Sequence, residues 1–173
     1  MLRYLIYLLT IAAAAFAIGF GARLYVDAAP AAELHHRPRV VMTIYKDNGG
    51  VFMQYFNNIQ REQREGFFYA IKGRCASACT MRLDASCVYP EAQVFFHSPY
   101  VDANEMPDDV SADTANASVN VMREVMMATY PEAIQAWAEH FDALGSVHMT
   151  VLRFDELRAL GIRDCRQVLK QWG

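Results

Sequence analysis

The chain reads as an α/β domain with a mainly parallel sheet behind an apolar N-terminal leader, and three observations carry this reading. Over Val40–Ile71, two apolar runs flank a turn and an amphipathic stretch, the strand–turn–helix–strand order of a βαβ unit. The 173 residues are 54% hydrophobic and 20% charged, enough for one full core, and nine Gly with six Pro are too few for a disordered or fibrous chain. The residues from Tyr4 to Phe20 carry no charge and lie between Arg3 and Arg23.

Val40-Val41-Met42-Thr43-Ile44-Tyr45 reads as a buried strand and Lys46–Gly50 as the turn after it. Phe52, Tyr55, Phe56 and Ile59 recur at helical spacing with a polar face from Asn57 to Glu65, which predicts a helix that Gly66 ends. Phe67–Ile71 is a second strand, parallel to the first. Gly73–Ser77 is expected to turn into a short helix from Ser77 to Asp84. Cys87–Tyr89 and Ala92–Phe96 read as strands separated by Pro90. A loop with five acids and no base spans Asp102–Asp113. Helices are expected from Asp113 to Thr129 and from Pro131, favourable at a first helical position, to Leu144. A last helix at Phe154–Leu160, Gly161 and a short strand at Ile162 complete the chain, which has no internal repeat.

The leader has two readings. A secretory signal needs a small-x-small cleavage site, which Ala29-Pro30-Ala31 offers, whereas a membrane anchor needs about 20 apolar residues. The run extended to Val26 is interrupted only by Arg23, which favours an uncleaved anchor over a signal and either over a buried core helix. Residues 1–26 are thus expected to be signal or anchor, 27–38 a linker and 39–173 an exported, periplasmic domain. The whole chain has a net charge of −3 and no basic stripe, which excludes a nucleic-acid partner. Without Arg3, Arg23 and Asp27, 16 less two bases face 19 less one acids, and the body is mildly acidic.

Cys75, Cys79, Cys87 and Cys165 suit that compartment: an even count in an exported domain points to disulfides, with three pairings open. The spacings lack the paired two-residue gaps of common zinc sites, so no metal is expected, and nothing implies a cofactor.

Ligands of parallel sheets bind at the carboxyl ends of the strands, which directs attention to the turns there. Gly49-Gly50 lets backbone approach a ligand closely. Ser77 stands at a strand-to-helix junction, where free N–H groups would stabilise an oxyanion. His97 closes the Ala92–Phe96 run, and an imidazole, ordinarily titrating near 6.5, can accept a serine proton at neutral pH. Singly, each has a structural explanation: Ser77 as an N-cap, Gly49-Gly50 as a plain turn, His97 as a core histidine.

In order and spacing, Gly49-Gly50-Val51, Gly73-Arg74-Cys75-Ala76-Ser77-Ala78-Cys79-Thr80 and Pro90-Glu91-Ala92-Gln93-Val94-Phe95-Phe96-His97 resemble the ClpP/crotonase superfamily, in particular exported bacterial relatives of the Clp protease proteolytic subunit. Glu156–Asp164 is similar to that family's terminal helix, glycine and strand. The resemblance implies stacked ββα units, Ser77 as nucleophile, His97 as general base and an oxyanion hole from the N–H groups of Gly50 and Ala78. It further implies that residues after Gly50 bind a substrate backbone as an added strand. The family's pattern places an aspartate before the terminal segment, where this chain has His148-Met149-Thr150. Asp142 and Asp155 are the nearest acids and are the candidates to orient His97. Otherwise the site is a Ser–His dyad, or a backbone carbonyl orients the ring. Cys75 and Cys79 bracket Ser77, so their pairing would fix the nucleophile turn, and Cys87 with Cys165 would then tie the third strand region to the terminal strand. The competing reading makes Cys75 or Cys79 a free nucleophile.

The expected function is an exported or membrane-tethered serine hydrolase, a peptidase acting on peptides or small acyl substrates. The alternative is an inactive ClpP-like fold serving as a peptide-binding module. An exported domain would not meet coenzyme A thioesters or an ATPase partner. A homo-oligomer is open through the stripe Ile134, Trp137, Phe141 and Leu144, although such stripes more often pack on their own domain.

Overall fold

A computed structural model describes residues 38–102 and 111–172. All of them lie within one compact unit, Arg37–Gly173. The leader, most of the linker and most of the acidic loop fall outside the described residues. Among the described residues, no helix is long and apolar enough to cross a membrane.

The sheet is built around β2 (Phe67–Ala76), which runs longer than the expected Phe67–Ile71 and absorbs the residues read as a turn from Gly73 to Ala76. β1 (Val40–Asp47) pairs with it in parallel on one side. On the other side, β3 (Ser86–Val88) pairs in parallel with Tyr69–Ile71, and β4 (Gln93–Phe96) in parallel with Arg74–Ala76. The sheet therefore forks along one edge of β2. β3 continues to β6 (Arg163–Asp164) in parallel, while β4 continues to β5 (Thr150–Arg153), the antiparallel exception. The mainly parallel α/β class is met.

β2 is apolar on both faces because both are covered, as in a central parallel strand. Its side chains alternate. Tyr69 and Ile71 enter the main core with Val94, Phe96 and Leu157, whereas Phe68 and Ala70 face a second cluster with Cys87 and Cys165. The register between β1 and β2 slips between Ile44 and Lys46, and Gly73 lies there against the Tyr45 carbonyl, in space that a Cβ would need.

β1 corrects one expectation. Its apolar run predicts a buried strand, but it is an edge strand on which Val40 and Val41 are each 42% exposed and Ile44 is the buried apolar residue. Its apolar run has the composition of an interior strand without a covering layer among the described residues.

The helices are α1 (Phe52–Arg64), α2 (Ala112–Ala128), α3 (Glu132–His140), α4 (Phe154–Ala159) and α5 (Cys165–Trp172). α1 buries Ile59 and rests Phe52, Tyr55 and Phe56 against the main core, as its spacing predicts. Gly66, at φ +81°, ends it. Ser77–Ala85 is helical but of 3₁₀ type. α3 stops at His140, short of Leu144, and turns follow it. Of the stripe on and after α3, Ile134 and Leu144 are buried in the domain's own core, whereas Phe141 is 62% exposed. α5 was not expected. It covers β2's second face through Val168, Leu169 and Trp172, whose ring meets that of Phe68 edge-on at 4.8 Å.

Candidate active site

β2 ends at Ala76, and the next residue, Ser77, takes φ +57°. A left-handed conformation in a residue with a Cβ costs about 1–2 kcal/mol and persists only where the surroundings impose it. Three features impose it here. Cys75 and Cys79 are joined by a disulfide across the turn, with Cα atoms 5.4 Å apart. The Thr80 hydroxyl donates to the Ser77 carbonyl at 2.7 Å and accepts a hydrogen bond from the Tyr130 hydroxyl at 2.7 Å, both groups being buried. Burial also raises the Tyr130 pKa, so that phenol keeps its proton and remains a donor. Finally, Gly49 is packed on the turn so closely that a Cβ there would stand 2.6 Å from the Ser77 Cβ and 2.9 Å from the Ala78 nitrogen.

The Gly49-Gly50 turn has its own supports. The Asp47 carboxylate, at the end of β1, accepts the Gly49 N–H at 2.9 Å and the Tyr55 hydroxyl at 2.5 Å, and it pairs with Arg82 at 3.4 Å. Arg82, on the 3₁₀ segment and 7% exposed, also pairs with Glu62 of α1 at 3.3 Å, and Glu62 accepts the Tyr69 hydroxyl at 2.6 Å. One buried guanidinium thus holds two carboxylates and ties β1, α1, β2 and the 3₁₀ segment beneath the turn. Burial, then the bond to Asp47, pushes the Tyr55 pKa up to about 12, while burial and Glu62 raise that of Tyr69. The Arg82 pKa is lowered by burial but raised further by Glu62 and Tyr69, for a net rise. The cluster is fixed with neutral phenols and charged arginine. On the surface, Arg74 adds a second clasp: it donates to Asn48 at 3.1 Å, lies over the Phe95 ring at 3.9 Å and reaches the Met149 sulfur at 3.3 Å.

His97 follows β4 and is 6% exposed. Its Nδ1 lies 2.7 Å from the Ser98 carbonyl oxygen. The next backbone group is fixed too, because the Ser98 N–H donates to the Ser146 carbonyl at 2.7 Å.

Gly50, Ser77, Ala78 and His97 all line one cleft of about 630 Å³, together with Gly49, Val51, Phe52, Met53, Tyr100, Asp102, Met122 and Met126. Its walls are apolar apart from a few polar groups, the usual make-up of a small-molecule or peptide site. Asp142 lies elsewhere, lining a separate pocket with Arg123 and Glu139. Asp155 stands exposed in the first turn of α4. Neither acid borders the cleft that His97 lines. After Gly50 the chain leads straight into α1, which starts at Phe52, and the Val51 carbonyl accepts the Tyr55 N–H at 3.1 Å. One further expectation is corrected. Among the described residues no cysteine is free, so neither Cys75 nor Cys79 is a thiolate; Cys87 and Cys165 are also bonded, with Cα atoms 4.9 Å apart.

The sequence reading missed Asp47, Arg82, Thr80, Tyr130 and Ser98. Asp47 had a local signal, since an Asx side chain that accepts the N–H two residues on is a standard turn device before Gly. Arg82 and Tyr130 act through contacts distant in sequence and carried none, whereas Thr80 and Ser98 lie three residues and one residue from the groups they hold, in contacts that side-chain identity alone does not reveal.

No protein-family model and no curated protein matches the chain. Among solved structures it is similar to a peptidase from Plasmodium falciparum, at 7% identity and a TM-score of 0.52 over 75% of this chain and 79% of that one. It is also similar to a protein described as an enzyme, at 9% identity and a TM-score of 0.51 over 75% and 78%. A mutant ClpP1 from Listeria monocytogenes aligns at 16% identity with a TM-score of 0.49 over 75% and 77%. At such identities likeness concerns the path of the chain, and the described body shares its fold with the first two of these proteins.

Proposed function

We propose that the domain is an exported serine hydrolase, in the first instance a peptidase of ClpP-like type, with Ser77 as nucleophile and His97 as general base. The observation that carries this is the strained Ser77 at a strand-to-helix junction, sharing one cleft with His97, Gly50 and Ala78. In the proposed cycle, Ser77 Oγ attacks the substrate carbonyl carbon and its proton passes to His97 Nε2. The electron pair displaced onto the carbonyl oxygen is met by the Gly50 and Ala78 N–H groups. Collapse expels the leaving amine or alcohol, which takes the proton from the imidazolium. Water, deprotonated by the same imidazole, then releases the acid and frees Ser77. The apolar cleft walls favour an apolar acyl side chain. The two disulfides are consistent with an oxidising compartment and so with export.

The likeness of fold to a peptidase supports the reading. A fluorophosphonate probe tests it: wild-type protein becomes labelled at Ser77, Ser77→Ala is not labelled, and His97→Ala is labelled at least 100-fold more slowly. Absence of labelling across pH 6–9 in fully oxidised protein would sink it. The second reading, an inactive fold that binds a peptide segment, rests on His148-Met149-Thr150 standing where the family pattern has its acid. It predicts no labelling and a Ser77→Ala protein with unchanged biological effect.

A further inference from the structure

We infer that the main-chain carbonyl of Ser98 takes the place of the triad acid, holding His97 in the tautomer that leaves Nε2 free to act as base. This rests on the serine-hydrolase reading above and supplies the member that the sequence leaves unmatched. A carbonyl oxygen has no proton to give, so at 2.7 Å the hydrogen between it and Nδ1 must belong to the ring. A neutral ring so engaged carries its proton on Nδ1 and its lone pair on Nε2, the arrangement that a triad carboxylate enforces.

The surroundings make the carbonyl a fixed partner. Ser98 is 5% exposed, and its N–H donates to the Ser146 carbonyl at 2.7 Å. Its hydroxyl donates to the Pro99 carbonyl at 3.0 Å, and Arg123 reaches that hydroxyl at 3.5 Å. The β4–β5 register sets Phe96 opposite Thr150, so the segment just before Thr150 runs beside His97 and Ser98. That segment is where the family pattern has its acid, and here Met149 is turned to Arg74 instead. His148-Met149-Thr150 thus offers the ring no carboxylate, while Nδ1 is engaged by the next residue's backbone.

Replacing a triad acid by its amide costs about 10⁴ in kcat, because the amide can hold the wrong tautomer. A carbonyl cannot make that error. It lacks the negative charge that offsets the imidazolium, so slow but genuine turnover is expected. Ser77 Oγ–H passes its proton to Nε2 as the bond to substrate forms, and the Nδ1 proton stays on the ring throughout.

The tautomer can be observed directly by nitrogen NMR of the full chain labelled with ¹⁵N-histidine, the His97 signals being identified by their loss in His97→Gln. At a pH where the ring is neutral, the expected spectrum has a protonated Nδ1 and an unprotonated Nε2. The same pattern is expected in Asp102→Asn, Asp142→Asn and Asp155→Asn. A protonated Nε2 in the wild type, or a switch of tautomer in any of these variants, overturns the proposal. Fluorophosphonate labelling separates the two levels: labelling with the wrong tautomer removes the carbonyl's role alone, whereas the expected tautomer without labelling removes the hydrolase reading and leaves the ring's orientation standing.

Discussion

Gly49 and Gly161 both take positive φ, at +79° and +84°, yet they answer to different constraints. An added Cβ at Gly161 meets nothing within 4 Å, whereas at Gly49 it would meet Ser77, the Ala76 carbonyl at 2.8 Å and the Ala78 nitrogen. The first position requires only the conformation, and Gly161→Ala should cost about 1 kcal/mol and leave labelling of Ser77 unchanged. The second requires the conformation and the space, against backbone that cannot move aside. Gly49→Ala should cost about 2–4 kcal/mol and slow labelling at least 100-fold, because displacement of a nucleophile by about 1 Å costs that much. Labelling rates and thermal melts of the two variants, side by side, check the contrast; equal effects would show that Gly49 serves only the turn. At this scale the sharing of one cleft by Ser77, His97 and the glycine pair was legible, because motif residues announce themselves by order and spacing. The left-handed Ser77 was not, since no residue type at that place calls for it: the bracketing disulfide and Thr80 are local, but the tyrosine that anchors Thr80 stands 53 positions after Ser77, and only the fold brings Tyr130 there.

The elements are joined under the site by the Asp47–Arg82–Glu62 cluster and its two phenols, and this has a consequence in alkaline solution. Tyr55 ionises at about 12 in the folded chain, from an ordinary value near 10, because burial and the Asp47 carboxylate disfavour the phenolate. The folded state therefore holds this proton more tightly than the unfolded chain. Its stabilising contribution is complete below about pH 10 and is lost as pH rises from there towards 12. Tyr69, raised by burial and Glu62, acts in the same direction. Urea unfolding at pH 8, 10 and 11 should show falling stability, and Tyr55→Phe should flatten part of that fall while costing about 1 kcal/mol at pH 8 through the lost hydrogen bond. A fall of the same steepness in the variant would assign the alkaline loss to other groups. What the sequence conveyed about these elements follows from periodicity. α1 was plain in Phe52, Tyr55, Phe56 and Ile59. Cys165, Val168, Leu169 and Trp172 of α5 stand at helical spacing too, but eight residues make only about two turns, too few for the period to stand out. β5, four residues long, has too few positions to declare a period, and β1's exposure depends on which layer covers it, which periodicity does not encode.

Across the whole molecule, the forked sheet separates two tasks, and each disulfide belongs to one. Cys75–Cys79 lies at the carboxyl end of β2, where β4 pairs and the cleft opens. Cys87–Cys165 lies on the other branch, where β3 meets the first half of β2 and α5 covers its second face. Their sequence separations are 4 and 78, so the loops they close differ greatly in entropy. On the chain-entropy estimate the short bridge removes about 2 kcal/mol of unfolded-state freedom and the long one about 4–5 kcal/mol. The long bridge also fastens α5, whose eight residues could not hold a helix alone and whose Val168, Leu169 and Trp172 pack over the second cluster. Removal of Cys87–Cys165 by paired alanine substitution should therefore lower Tm by roughly 10–20 °C while the folded fraction still labels at Ser77 at close to the wild-type rate. Removal of Cys75–Cys79 should lower Tm by less, yet slow labelling at least tenfold, since it frees the turn on which the strained Ser77 depends. Melting curves and labelling rates on the two paired variants decide the matter. If the short bridge proved the larger contributor to Tm and the long one to labelling, the division of the sheet into a structural branch and a reactive branch would be wrong. If they come apart as expected, loss of the short bridge alone would slow labelling without unfolding the domain, because the bridge that closes the least chain is the one that holds the Ser77 turn.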